Sequence, residues 1–167
     1  MQESPYLENL EHLVEKFHRL PFLQPLGVNY LKKILSLSKI RKFDRDEMIT
    51  REGAYDSWVY IVLAGAVRVL KHGKELAVLD QIGDTFGELA VIDGKARSAS
   101  VISINESVCL AIDTSFMDET KDPQEQLIFI SIFYRLFAEI LANRLRRTND
   151  ELIETRGELE NLKKMKR

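Results

Sequence analysis

Apolar and polar positions along this chain change period twice. Near the N-terminus, Leu7, Leu10, Val14 and Phe17 recur at spacings of three and four, which marks one face of a helix. Ser4-Pro5 stands ahead of them as a cap and first-turn proline, so a helix is predicted to start there. Pro21 and Pro25 break the pattern, and Tyr30, Leu31, Ile34 and Leu35 start a second short helix. From about Ile40 to Asp113 the period becomes that of strands. The runs Trp58 to Leu63, Ala66 to Leu70 and Glu75 to Leu79 are rich in β-branched and aromatic residues, and Gly53, Gly65, Gly73 and Gly83 separate them as turns. Many short strands closed by turns at this spacing predict an antiparallel sandwich or barrel, mainly β with α flanks.

The last zone returns to helix. Asp122-Pro123 repeats the cap-then-proline start, and no proline follows. Leu141, Leu145, Thr148, Leu152, Thr155, Leu159 and Leu162 then alternate spacings of four and three, a coiled-coil seam. A helix of about 44 residues at 1.5 Å each would be about 65 Å long, far more than a small β-domain covers. A second copy in a parallel dimer is the simplest partner for such a seam. The plain alternative packs its first half on the β-domain and leaves the tail to fray. Three segments follow: an N-terminal helical segment 1–37, a β-domain 38–121 and a C-terminal dimerisation helix 122–167.

Composition narrows the class. At 167 residues with 45% apolar content the chain suits one domain with a real core and an appended helix. A formal charge of -2 gives no push toward nucleic acid or an acidic membrane surface. The single cysteine, Cys109, excludes a disulfide framework and suits a reducing cytosol. No uninterrupted apolar run approaches the roughly 18 residues that span a bilayer, and no basic-then-apolar signal pattern opens the chain. A soluble cytoplasmic protein is expected, with no membrane contact.

The candidate chemistry lies between Gly83 and Val101. Glu88 follows a glycine, Arg97 comes nine residues later among small residues, and Leu89, Ala90, Val91 and Ile92 fit one helical turn between them. Backbone N–H groups at a helix start and a neighbouring arginine can hold a phosphate. A fixed carboxylate can accept from a pair of sugar hydroxyls. Gly87 would let the backbone approach closely. The spacing therefore suits a small anion that also carries hydroxyls. The alternatives are a solvated Glu88–Arg97 ion pair and a bulge at Gly87.

Gly-Asp-x-Phe-Gly-Glu-Leu-Ala followed by Arg-Ser-Ala-x-Val resembles the phosphate-binding cassette of cyclic nucleotide-binding domains. The likeness extends to Glu52-Gly53, Tyr60-Ile61, Gly65-Ala66-Val67, the Leu20-Pro21-Phe22-Leu23 lead-in and both helical flanks. It implies a β-roll, or jelly roll, that cradles cyclic AMP or cyclic GMP, with a C-terminal helix closing over the base. Carried over to this sequence, Glu88 would accept from the ribose 2′-hydroxyl and Arg97 would pair with the cyclic phosphate. Phe86, Gly87, Leu89, Ala90, Ser98 and Ala99 complete the implied site, with N–H groups of Gly87, Ser98 and Ala99 in the cradle. Ala96 departs from the pattern, since many members carry proline before the arginine; a looser loop is the expected consequence.

Leu141 to Glu151 is similar to the central helix of bacterial catabolite activator proteins, members of the Crp/Fnr superfamily. That likeness implies that Thr148 contacts the adenine amino group and that Asn149 reaches it from the partner subunit. The alternative for Thr148 is a polar residue that sets the register of the seam, as at Thr155. Ser98 stands where cyclic GMP-preferring relatives often carry a threonine, but with Thr148 aimed at adenine the expected ligand is cyclic AMP.

Elsewhere chemistry is sparse. His12, His18 and His72 lack metal-ligand spacing, so no metal or redox cofactor is expected. Cys109, between Val108 and Leu110, suits a small core residue. No nucleophile–base arrangement appears, and no enzyme is expected. Lys163, Lys164, Lys166 and Arg167 complement the negative end of the helix dipole. No helix-turn-helix pattern follows the helix, so the output is expected from a module outside this sequence or from a partner engaged by the tail. The reading is a homodimeric cyclic-nucleotide sensor, with two rivals: a relative that replaces the nucleotide with haem for gas sensing or with an iron–sulfur switch, and an assembly module without nucleotide. The Glu88 and Arg97 pair and the single cysteine disfavour the first rival.

Overall fold

The computed structural model describes residues 1–8, 11–19, 23–24, 27–115 and 122–165, with the side chain of Glu125 excepted. The expectations for Leu10, Leu20-Pro21-Phe22, Pro25, Lys166 and Arg167 lie outside these residues. Two compact units divide the chain, Met1–Ile130 and Ser131–Arg167.

The first unit is built on two antiparallel sheets. Strands β1 (Gln2–Glu3), β2 (Ser38–Phe43), β3 (Met48–Thr50), β4 (Trp58–Ala64), β5 (Val67–Lys71), β6 (Lys74–Leu79), β7 (Thr85–Phe86), β8 (Ser100–Ser103) and β9 (Ser107–Asp113) are accompanied, among the described residues, by three short helices. These are α1 (Glu11–His18), α2 (Val28–Ser36) and α3 (Glu88–Asp93). One sheet orders its strands β1-β2-β9-β4-β7 and the other β3-β8-β5-β6. Their inner faces share a core of Phe43, Tyr60, Val62, Val67, Leu79, Phe86, Val101, Cys109 and Ala111. Alternation explains part of this: Tyr60 and Val62 face inward from β4, as Cys109 and Ala111 do from β9. Strand β4 is also apolar at Val59 and Ile61, which are buried on its other side. Both faces of this strand are therefore covered, and its sequence reads as a continuous apolar run.

The hairpin between β5 and β6 turns on His72 and Gly73, both at positive φ (49° and 74°). Two left-handed residues in succession match the twist of the flanking strands, and Gly73 takes its place without cost. This hairpin returns below because Lys71 precedes it.

One expectation fails at the N-terminus. Ser4-Pro5 does not open a helix; Gln2–Glu3 is a strand paired with Lys42 and Arg41, and Leu7 lies outside α1. The reason is a set of competing partners. Ser4 donates its N–H to Ile40 O (2.9 Å), its Oγ accepts from Ile40 N–H (2.9 Å), and Leu7 N–H reaches Ser38 O (3.1 Å). A serine hydroxyl satisfied by the sheet edge is not available to cap a helix. By contrast, α2 buries Leu31, Ile34 and Leu35 at the spacing the sequence predicts.

The second helical zone, α4 (Pro123–Met165), is one continuous helix that runs from the first unit into the second. Asp122 opens it, accepting from Gln124 N–H at its carboxylate (2.9 Å) and from Gln126 N–H at its carbonyl (3.0 Å). Within the second unit Leu145, Leu152, Leu159 and Leu162 are each about half exposed or more. A further correction concerns the membrane criterion. This helix is long and apolar enough, by length and composition only, to qualify as a candidate span. Counting uninterrupted runs misses it because Arg135 and Glu139 divide the apolar stretch Gln126 to Asn143.

Candidate functional site

The residues between β7 and β8 form a compact loop-helix-loop. Strand β7 delivers Thr85 and Phe86, Gly87 turns the chain at φ 91°, and Glu88 begins α3. Gly94 ends that helix at φ 65°, and Arg97 follows within the loop that leads to Ser100, the first residue of β8. Gly87 is required twice over. Its positive φ disfavours any side chain, and a Cβ there would meet the Arg97 guanidinium and come within 2.8 Å of Trp58 O.

Arg97 is 4% exposed, unusually buried for a guanidinium. It donates from Nη1 to Gly87 O (2.7 Å) and from Nε to Asp56 Oδ2 (3.0 Å). Its Nη2 donates to the other carboxylate oxygen of Asp56 and to Trp58 O. The pair with Asp56 is thus bidentate, the strong fork geometry of arginine and carboxylate. The main chain is anchored as well: Arg97 N–H donates to Ala54 O (2.8 Å), and Arg97 O accepts from Gly53 N–H (2.9 Å). Glu52 N–H donates to Ser100 Oγ (2.9 Å), so Ser100 is a tie as well as a strand residue.

A second ion pair lies beside the first. Lys71 Nζ donates to Ser98 O (2.6 Å) and approaches Glu52 Oε1 (3.0 Å). Glu52 also accepts from His72 N–H (3.0 Å), and that bond, with Lys71 next, holds its carboxyl below the usual range. A third pair, Lys95 with Asp93 (3.3 Å), sits on the surface. All three cations border one cavity of about 520 Å³, which Tyr55 and Leu89 also line. Each cation facing this cavity has a carboxylate beside it, so an anion arriving there must compete for its partner.

Glu88 is 2% exposed and does not line that cavity; Leu89, one residue on, is its exposed neighbour. Phe86 is buried and stacks on Tyr60, with ring centroids 4.9 Å apart and 8° between planes. Tyr60 Oη accepts from Arg41 Nη1 (2.6 Å), and Arg41 in turn pairs with Glu3 of β1 (2.6 Å). Burial pushes the Tyr60 phenol above its ordinary range, so it stays protonated. The start of the loop is thereby braced against the sheet. Phe86, Gly87, Glu88, Leu89, Ala90, Arg97, Ser98 and Ala99 are accordingly brought together in the first unit. Thr148 and Asn149 lie exposed on α4 in the second unit.

Comparison with known proteins fits this geometry. Residues 40–121 belong to the cyclic nucleotide-binding domain family. Over 108 residues the chain is 32% identical to the cGMP-dependent protein kinase of Plasmodium berghei, a match that covers 64% of this chain and 12% of the kinase. It thus spans a small part of that relative. The crystal structure of a cyclic nucleotide-binding domain from Methylobacillus flagellatus superposes with a TM-score of 0.71 at 18% identity, covering 92% of this chain and 89% of that one. The Thermus thermophilus catabolite activator protein superposes at 0.60 with 26% identity, covering 79% of this chain and 61% of that one. The β-roll of this domain, two antiparallel sheets flanked by helices, is therefore the expected one.

Sequence reasoning missed Asp56, Lys71 and the Trp58 carbonyl. Asp56 lies 41 residues from Arg97, and Lys71 lies 27 residues from Ser98. Neither pair has a sequence signature: the Asp56–Arg97 contact needs the two sheets to close on one another, and the Lys71–Ser98 contact needs β5 to pair with β8. Among the described residues no group of three or more His, Cys, Asp or Glu side chains could hold a metal.

Proposed function

We propose that this chain is a cyclic-nucleotide sensor that prefers cyclic AMP and couples ligand binding to its long C-terminal helix. The observation that carries the reading is the buried Arg97 set against Gly87 inside a cassette-bearing domain. The guanidinium already holds a carboxylate, that of Asp56, and a cyclic phosphate offers two exocyclic oxygens in the same geometry, so it can take the place of Asp56. Arg97 would take the phosphate, with the N–H groups of Gly87, Ser98 and Ala99 in support, and Glu88 would accept from the ribose 2′-hydroxyl. Phe86, Leu89 and Ala90 would shape the walls around the sugar.

The base is assigned to Thr148, with Asn149 contributed by a second copy through the α4 seam. A polar hydroxyl on a leucine seam is unfavourable for packing unless it meets something polar, which supports Thr148 as the adenine contact. Ligand would then stabilise one arrangement of the helices over another, which shifts populations rather than forcing a movement. An output module outside this sequence, or a protein partner, would read that arrangement. The boundaries 38–121 for the ligand domain and 122–167 for the dimerisation helix belong to this proposal.

Cyclic GMP is the second reading. The kinase relative is named for cyclic GMP, and the exposed Ser98 places a hydroxyl beside Arg97. Calorimetric titration of both nucleotides into wild type and Arg97→Ala decides among these. Wild type should bind cyclic AMP more tightly than cyclic GMP. Arg97→Ala should bind neither, because an unpaired phosphate in a desolvated site costs about 2–5 kcal/mol. Binding within threefold of wild type in the variant would overturn the site.

A further inference from the structure

We propose that Lys71 is a positioning residue for the phosphate cradle, acting through the peptide that joins Ser98 to Ala99; this rests on the nucleotide-binding reading above. Lys71 ends β5, where the tight His72-Gly73 turn reverses the chain, and its ammonium reaches across to Ser98 O at 2.6 Å. The Ser98 carbonyl and the Ala99 N–H belong to one planar trans peptide and point in opposite directions. Holding the carbonyl toward Lys71 therefore aims the Ala99 N–H away from Lys71. The same logic applies one peptide earlier, where Gly53 N–H holds Arg97 O (2.9 Å) and so orients the Ser98 N–H.

What distinguishes Lys71 is that it uses a side chain, and that the side chain is itself steered. Glu52 Oε1 lies 3.0 Å from its ammonium, Glu52 Oε2 accepts from His72 N–H at 3.0 Å, and Glu52 N–H is tied to Ser100 Oγ at 2.9 Å. Hairpin turn, lysine and arginine loop are thus joined around one glutamate. Because Glu52 balances the lysine charge, Lys71 brings little net positive field to a phosphate. Its contribution is direction, and a cation on the carbonyl also polarises the peptide so that its N–H is a better donor.

The test is calorimetric titration of the whole chain, wild type, K71M and K71R, with cyclic AMP and both diastereomers of its phosphorothioate. In each diastereomer one exocyclic oxygen is sulfur, a poor acceptor. K71M should bind cyclic AMP about tenfold more weakly, the scale of one misdirected bond to a charged group. K71R, which can still donate to Ser98 O, should stay within about threefold of wild type. The tenfold penalty should persist for one diastereomer and largely vanish for the other, where sulfur has already forfeited the Ala99 bond. A partly unfolded variant would lose affinity equally for all three ligands and cannot imitate that split. Equal penalties for both diastereomers, or wild-type affinity in K71M, would overturn the role of Lys71. Wild type that binds no cyclic nucleotide would overturn the function itself.

Discussion

Asp56 and Arg97 form a bidentate ion pair that spans 41 residues of sequence and closes the loop before β4 onto the segment between β7 and β8. Asp56 is about one-third exposed while Arg97 is almost wholly covered, so the pair has one wet end and one dry end. A carboxylate on the wet side can turn toward solvent, whereas the arginine has nowhere else to go. In the function proposed above, a cyclic phosphate would take the place of the Asp56 carboxylate.

Asp56→Asn should raise affinity for cyclic nucleotide by roughly tenfold, because about 1–2 kcal/mol of like-charge repulsion toward the phosphate is removed. The same change should lower the ligand-free melting temperature, since it leaves a buried guanidinium without its counter-charge. Calorimetry and thermal melts with and without ligand measure both. A fall in affinity would mean that Asp56 orients the guanidinium instead of competing for it.

Gly87→Ala combines a positive-φ penalty with a methyl group driven toward Arg97 and Trp58 O. It should destabilise the fold by ~1–3 kcal/mol and remove nucleotide binding altogether. Gly94→Ala is the control: its φ is also positive (65°), but a Cβ there meets nothing within 4 Å. It should cost stability alone, read by chemical denaturation, and retain most of the affinity.

If α4 dimerises and closes over the base from two subunits, ligand affinity and dimer stability are coupled, and the coupling is reciprocal. Leu152→Glu should then weaken both self-association and cyclic AMP affinity, although Leu152 touches no ligand atom in that arrangement. Thr148→Ala should weaken cyclic AMP more than cyclic GMP, since adenine carries an amino donor at C6 where guanine carries a carbonyl. Sedimentation with and without nucleotide reads the first effect. A Leu152→Glu monomer with wild-type affinity would put the base site within one subunit.

Asp113 links Tyr6, Ser57 and Ser115 at the end of β9. Burial pushes its carboxyl up, but the backbone and hydroxyl bonds from Ser115, with those of Ser57 and Tyr6, outweigh it and leave the group below its ordinary value. A folded-state pKa below the unfolded one contributes stability above the ordinary carboxylate range, which is lost as pH falls through it. Wild type and Asp113→Asn should therefore differ in denaturant midpoint near neutrality and converge below about pH 4. Parallel curves down to pH 2 would remove Asp113 from the acid dependence.

Much of this protein was legible along the chain because local rules governed it. Strand β4 and the β5–β6 hairpin follow from β-branched runs and glycine turns, α2 from its apolar spacing, and the opening of α4 from Asp122-Pro123. Gly87, Glu88 and Arg97 could be singled out because a motif of fixed spacing carries them. Three things only the tertiary structure decided. The N-terminal residues chose the sheet edge over a helix because Ile40 offered Ser4 both a donor and an acceptor. Arg97 found Asp56 because the two sheets close on one another, and Lys71 found Ser98 because β5 pairs with β8; spacing along a chain encodes neither distance. The direction of the Ser98–Ala99 peptide follows from that pairing too, since a side chain from the neighbouring strand holds its carbonyl.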